Sequence, residues 1–395
     1  MTRTFPMSRQ CPYDPPPDYG RLRESEPVSR VRTWDGTEAW LITRYADSRA
    51  VLADRRFSSD SRRPGYPSVS AASAVSRRQM RSFINMDDPE HAHFRRMLIS
   101  SFTMRQVEAL RPRIQSIVDS LVDDILAAGP PVDLVQAFAL PLPSLVICEL
   151  LGVPYADHDR FQAWSRTTIN AASTAEQAQR AVTELAGYLG ELVDAKDREP
   201  GDDLISRLVV NQLRPGHVTR ADVVGMARLL LVAGHETTAN MIALGTAALL
   251  AHPDQLERLR TDPSVVKSSV EELLRYLTIT HSGRRRVATE DVTVSGQLIS
   301  AGEAVIVAGD AANRDPEVFA EPDQLDVARK ARQHVAFGYG IHQCLGQPLA
   351  RVELQVVHGT LYGRIPTLKL AIPAEQLRFK HDMIVYGVHE LPVSW

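Results

Sequence analysis

Cysteine is scarce in this chain of 395 residues: there are three, Cys11, Cys148 and Cys344. They lie far apart, so no CxxC pair is available for a structural zinc or a redox disulfide, and so odd and sparse a set makes no disulfide framework. Charge of one sign is also lacking. Lys and Arg number 45 against 48 Asp and Glu, a formal net charge of −3, which offers no broad basic footprint for nucleic acid. Long apolar runs are missing. The longest apolar stretch, 223–251, is broken by Arg228, His235, Glu236 and Asn240 and does not read as a membrane span. The opening MTRTFPMSRQCPYDPPPDYG has no apolar core of the kind a secretory signal needs. No repeat is visible. The expectation is a soluble cytoplasmic protein with no nucleic-acid or membrane partner, long enough to bury a large core and enclose a cofactor.

What is present is mostly helical patterning. Residues 1–20 are Pro-rich and read as an extended arm along the surface, and the whole of 1–395 reads as one domain. RVRTWDGTEAWLITRY alternates apolar and polar residues around Asp35-Gly36, a hairpin signal. From about 45 to 260 the apolar period is helical. Residues 58–82 are small, polar and basic, and loops this long inside a compact domain are usually functional. Thr219 and Asp222 have capping-box spacing at the start of one long helix that His252-Pro253 ends. PSVVKSSVEELLRYL reads as a second, amphipathic helix opened by proline. Residues 287–308 alternate like strands around Ser295-Gly296, residues 313–329 form an irregular meander, and IVYGVHELPVSW reads as a strand pair. The fold class expected is mainly α with small β-sheets.

Cys148, in LVICELLG, reads as an inert core thiol, and Cys11 as incidental. Cys344 is different. It lies in HVAFGYGIHQCLGQPLAR, with a helix expected from about Leu345 and Pro348 in its first turn. A sulfur there faces unpaired N–H groups and the positive end of the helix dipole, and both favour thiolate. Gly338, Gly340 and Gly346 remove side chains where backbone must turn tightly or approach something flat. Within the long helix, Ala233-Gly234-His235-Glu236-Thr237-Thr238 holds poor helix formers, and a Thr hydroxyl can turn back to the carbonyl four residues earlier. Glu272 and Arg275 share a helix face, with Glu271 also in reach of Arg275, and His91 and Arg95 are one turn apart. Singly, each has an ordinary reading: a buried thiol, a bent packed helix, a surface ion pair, a solvated charge.

Together they say more. Phe337-Gly338-Tyr339-Gly340-Ile341-His342-Gln343-Cys344-Leu345-Gly346 resembles the haem-binding loop FGxGxHxCxG of the cytochrome P-450 family, the haem-thiolate monooxygenases. The resemblance covers essentially the whole chain and is closest to soluble actinobacterial members that act in secondary metabolism and xenobiotic oxidation. It implies the family's triangular-prism fold and haem b (iron protoporphyrin IX), with Cys344 as the axial thiolate that favours O–O cleavage. It implies that Gly234 leaves room for dioxygen, that Glu236 and Thr237 form an acid–alcohol pair for proton delivery, and that His235 stands at a variable position. It implies a structural triad of Glu272, Arg275 and Arg329 holding the Cys344 loop, with Leu325 departing from the Phe of many relatives. Two haem propionates need cations or strong donors when buried. His91, Arg95, Arg286 and His342 match the family's positions for them, whereas Arg284 and Arg285 match none and are left to solvent.

The reaction implied is insertion of one oxygen atom of O2 into a C–H bond or alkene of a bulky, mostly apolar small molecule, such as a macrolide, polyketide, sterol-like or drug-like compound. Electrons would come from NAD(P)H through a ferredoxin reductase and a ferredoxin, because the chain has no flavin or iron–sulfur signature. An acidic partner calls for a basic patch on the Cys344 side, with Arg96 and Arg105 as candidates. The substrate pocket expected from the resemblance takes Arg77, Phe83 and Ile84 from a loop that closes over the ligand, Leu229, Val232 and Ala233 from the long helix, and Ile279, Ser282 and Ile384. Two other classes remain open: a peroxide-driven peroxygenase, which needs no acid–alcohol pair, and a non-catalytic haem-thiolate sensor, which needs neither that pair nor a substrate cavity.

Overall fold

The computed structural model describes residues 3–74 and 82–395. Asp35-Gly36 turns the chain as the alternation predicts: Gly36 has φ +84 and the Thr33 N–H donates to the Thr37 carbonyl at 2.8 Å. This joins the antiparallel strands β2 (Val28–Arg32) and β3 (Glu38–Ile42). With β1 (Arg3–Thr4), β4 (Phe57–Ser58), β5 (Arg284–Ala288) and β6 (Ala304–Val307) they make one sheet in the order β1-β2-β3-β6-β5-β4. β3 and β6 pair in parallel, with Ile42 opposite Val307. Ser295 and Gly296, both at positive φ, turn a separate hairpin of Val292–Val294 and Gln297–Ile299.

Two expectations are corrected here. The C-terminal segment does not fold back on itself as a strand pair. Only Pro392–Ser394 is a strand, and its ladder partners are Lys369–Leu370 and Val132–Asp133, far away in sequence. The N-terminal arm is neither wholly extended nor superficial. Asp18–Ser25 is helical, Phe5 is buried in a cluster with Tyr19, Leu22 and Ile306, and Arg9 pairs with the buried Asp310 at 3.4 Å.

The helices that position the site are α1 (Glu90–Ile99), α2 (Met104–Ala128), α3 (Pro141–Leu151), α4 (His158–Ile169), α5 (Ala175–Arg198), α6 (Arg220–Ala251), α7 (Val266–Leu277) and α8 (Gln347–Arg364). The Thr219–Asp222 capping box is formed in both directions, and α6 stops at His252. A helix apolar nearly all round belongs in the middle of a core. α6 packs there against α3 and α5, and α8 runs along α2. Part of the segment expected to be a polar loop is packed rather than loose. Ser68, Val69, Ser70, Ala72 and Ser73 are buried, and small side chains are what allow such close approach.

α6 and α8 are stitched by buried polar contacts. Thr246 Oγ1 lies 3.0 Å from the Tyr362 hydroxyl, and Thr238 bonds the Glu353 side chain. Burial pushes the Glu353 carboxyl up to about 8, with the Thr238 bond acting the other way. The unfolded chain loses this proton near the ordinary value of 4.5, and the folded chain keeps it to about 8. Stability from this group is therefore fully present below the lower value and falls as pH rises between the two. Glu353→Gln should remove that fall. Its melting temperature should exceed the parent's near pH 8 and converge with it near pH 5, measured by circular dichroism at both pH values.

Candidate active site

The Cys344 loop is shaped by its own backbone. The Cys344 N–H donates to the Phe337 carbonyl at 2.9 Å and the Gln343 N–H to Gly340 at 3.0 Å. Gly338 and Gly340 have φ +78 and +74. A Cβ on Gly340 would fall 2.6 Å from the Leu52 carbonyl, so this glycine serves both turn and close approach. α8 begins at Gln347, two residues later than the pattern predicts, with Pro348 in its first turn. Cys344 is an exposed residue of the loop, and burial of its sulfur raises its pKa. The N–H groups of Gly346 and Gln347 act on the sulfur in the sense expected of a helix start, as do Arg284 and Arg95, but burial outweighs them. Cys148 is the inert core thiol expected, its pKa pushed up to about 12 by burial.

His91, Arg95, Arg286 and His342 converge beside this loop. The rings of His91 and His342 meet at a tilt of 43° with 4.2 Å between centroids, Arg95 donates to the Gln343 carbonyl at 2.7 Å, and Arg286 and His342 both line a cavity of about 100 Å³. His91 Nδ1 is held by Asp88 at 3.2 Å. His91 Nε2 and His342 Nδ1 are buried without a partner among the described residues. Burial and then the neighbouring Arg286, His91 and Arg95 drive His342 down to about 3. Burial also lowers His91, Arg95 and Arg286. A nest of donors that burial and mutual repulsion make reluctant to carry charge fits a dianionic group such as the two haem propionates.

α6 supplies the second surface. Along 223–249 every residue is buried except Leu229, Val232, Ala233, Gly234 and Thr237. Leu229, Val232, Ala233 and Thr237 follow i, i+3, i+4, i+8 and mark one open face. Thr237 Oγ1 donates to the Ala233 carbonyl at 2.8 Å, the back-bond expected of a threonine in a helix. Gly234 is a correction. A Cβ there would lie 2.7 Å from Ile147, so its missing side chain admits α3, and Ala233 is the residue that opens outward. His235 is packing: fully buried, bonded to Leu231 O at 2.7 Å, its ring against Phe161 of α4. Glu236 turns the other way and lines a polar cavity of about 420 Å³ with Arg166, Asn240 and Lys380. Lys380 donates to Asn240 Oδ1 at 2.8 Å, and Asn240 donates to the Glu236 carbonyl at 2.7 Å. The sequence reading missed both. Asn240, one turn after Glu236, was findable; Lys380 carries no local signal.

The expected pocket residues separate. Ile279, Ser282 and Ile384 come together: the Tyr386 N–H donates to Ile279 O at 2.8 Å and Ser282 Oγ to Ile384 O at 3.4 Å. Phe83 is buried near the His91 ring, 6.1 Å between centroids, and Ile84 is half exposed. Arg77 lies outside the described residues.

The triad forms. Arg275 grips Glu272 at 2.7 and 2.8 Å, and Arg329 Nε reaches Glu272 Oε1 at 3.0 Å. Glu271 does not compete. It holds Arg351 at 2.7 and 3.0 Å and His334 at 3.1 Å, and the Arg351 guanidinium lies 4.6 Å over the Phe337 ring. Arg284, left to solvent by the sequence reading, is instead enclosed beside the cysteine loop, its pKa lowered to about 10 first by burial.

A cysteine at a glycine-shaped helix start, a donor nest beside it and a back-bonded threonine on the open face of an interior helix define a haem-thiolate enzyme. The chain belongs to the cytochrome P450 family, whose model matches residues 157–363. Cytochrome P450-SU2 of Streptomyces griseolus is 53% identical over 99% of this chain and 97% of its own. Pentalenic acid synthase of Streptomyces avermitilis is 52% identical over the same shares. The crystal structure of the mycinamicin VIII C21 methyl hydroxylase of Micromonospora griseorubida, bound to mycinamicin VIII, superposes with a TM-score of 0.95 at 41% identity over the whole of both chains. The protein is a cytochrome P450 monooxygenase, which implies haem with cysteine thiolate ligation, O2 and a redox partner. No described helix is long and apolar enough to cross a membrane.

Glu272→Ala should destabilise the fold by about 3–5 kcal/mol, because it strands a fully buried arginine. Urea denaturation of the haem-loaded protein measures this, and the haem content of the purified variant should fall in parallel.

Proposed function

We propose that Cys344 is the axial thiolate and that His91, Arg95, Arg286 and His342 hold the haem propionates. The observation that carries this reading is the pair of orphaned buried nitrogens, His91 Nε2 and His342 Nδ1, set beside the loop of an unpaired, exposed cysteine. Glu272, Arg275 and Arg329 fix the meander against α7, so that the loop has a rigid base. Haem with a thiolate ligand supplies O2 activation, and one oxygen atom enters a C–H bond or alkene of the substrate.

The protein's own part is binding and proton handling. The open face of Leu229, Val232 and Ala233, with Ile279 and Ile384, suits a bulky, mostly apolar molecule. The names of the relatives, a pentalenic acid synthase and a mycinamicin hydroxylase, support a secondary metabolite of macrolide, polyketide or terpenoid size. Thr237 holds a proton at Oγ1 and can turn it from the Ala233 carbonyl toward that face. Glu236 sits behind the helix on a cavity large and polar enough for water, so a proton from solvent can reach the carboxylate and pass to the threonine side. A peroxide-driven enzyme or a sensor would leave this pair idle. Electrons come from a ferredoxin and its NAD(P)H-dependent reductase. In support, Arg96 and Arg105 are exposed near the exposed Ile99 and Met104, a basic and apolar surface suited to an acidic partner. Residues 1–395 act as a single cytoplasmic unit.

Cys344→Ala and Cys344→His should lose the red-shifted Soret band of the reduced carbonyl complex, and Cys11→Ala and Cys148→Ala should keep it. Survival of that band in Cys344→Ala would rule the ligand out. Thr237→Ala should bind haem and show the substrate-induced spin shift, but convert most NADPH into hydrogen peroxide. Parallel assays of product, peroxide and NADPH decide this.

A further inference from the structure

β5 carries a charge that the haem site so far leaves unused. Residues two apart on a strand share a face, so Arg284 and Arg286 point the same way and Arg285 the other, toward Ser73 Oγ at 3.0 Å. Like charges on one enclosed face repel, and nothing in the triad or the donor nest explains Arg284. Its Nη2 donates to the Ala336 carbonyl, and its Nη1 is buried without a partner among the described residues. Its place is built. A Cβ on Gly338 would fall 3.0 Å from Arg284 Nε, and one on Gly309 would fall 2.9 Å from Nη1. Gly338 thus answers to the guanidinium as well as to its own positive φ. The acidic groups beside Arg284 are Cys344 and Asp310, and Asp310 already has Arg9 at 3.4 Å.

We infer that Arg284 is a fixed positive charge set against the Cys344 loop, which raises the reduction potential of the iron that the loop's cysteine binds. The inference rests on Cys344 being the ligand. Ala336 immediately precedes Phe337, whose carbonyl takes the Cys344 N–H, so guanidinium and sulfur are fixed to one short piece of backbone. A cation held there lowers the cost of adding an electron to the site, and low dielectric keeps the effect from being screened. Arg286 sits with the donor nest; Arg284 sits with the loop. It is a tuning residue that acts through charge and touches no substrate.

The test uses purified haem-loaded protein and a dye-mediated one-electron titration with dithionite, followed optically. Arg284→Met should shift the equilibrium toward the oxidised form about tenfold, about 59 mV for one electron. Arg284→Lys should recover most of the shift. Arg284→Gln, which keeps a donor for the Ala336 carbonyl, should behave like Met and guards against a folding defect. All three should retain the red-shifted carbonyl band at neutral pH, which separates this inference from the identity of the ligand. A potential in Arg284→Met and Arg284→Gln within about twofold of the parent equilibrium would overturn it, whether or not haem is lost more readily. Arg284 would then be a packing or propionate contact.

Discussion

Everything near the cysteine leans on two adjacent acids of one helix. Glu272 is fully buried and holds Arg275, which in turn donates to the carbonyls of Asn313 and Pro322. Those carbonyls belong to irregular chain with no ladder to satisfy it, so a guanidinium stands in for secondary structure. Glu271, one residue earlier, faces another quarter of α7 and holds Arg351 and His334, which flank Phe337 at the head of the cysteine loop. Burying such charges is costly, and what the cost yields is a single geometry. A loop that must present one sulfur cannot rely on apolar packing, which tolerates small slides.

Where structure followed from short-range chemistry, it was legible in advance. The Asp35-Gly36 hairpin, the Thr219–Asp222 cap and the stop at His252-Pro253 each depend on a few neighbouring residues. The Glu272–Arg275–Arg329 triad and the donor nest were legible only because the chain resembles a family; no spacing rule brings His91 to His342. What was misread involves a helix face or a remote partner. Gly234 was assigned to the ligand side, but which face it presents is set by Ile147 on another helix. The C-terminal alternation was real, yet its ladder partners lie near residues 132 and 369. Arg284 was the avoidable error. Strand alternation alone places it on the face of Arg286, and once Arg286 is assigned to the interior Arg284 follows.

Glu236 and Thr237 are neighbours in the chain and stand about 100° apart around α6: Glu236 lines a polar cavity, and Thr237 belongs to the open face of the helix. The helix therefore meets a polar cavity on one flank and keeps a mostly apolar face open on another. Leu229, Val232 and Ala233 can therefore change without touching the contacts that hold Glu236, Asn240 and Lys380 together.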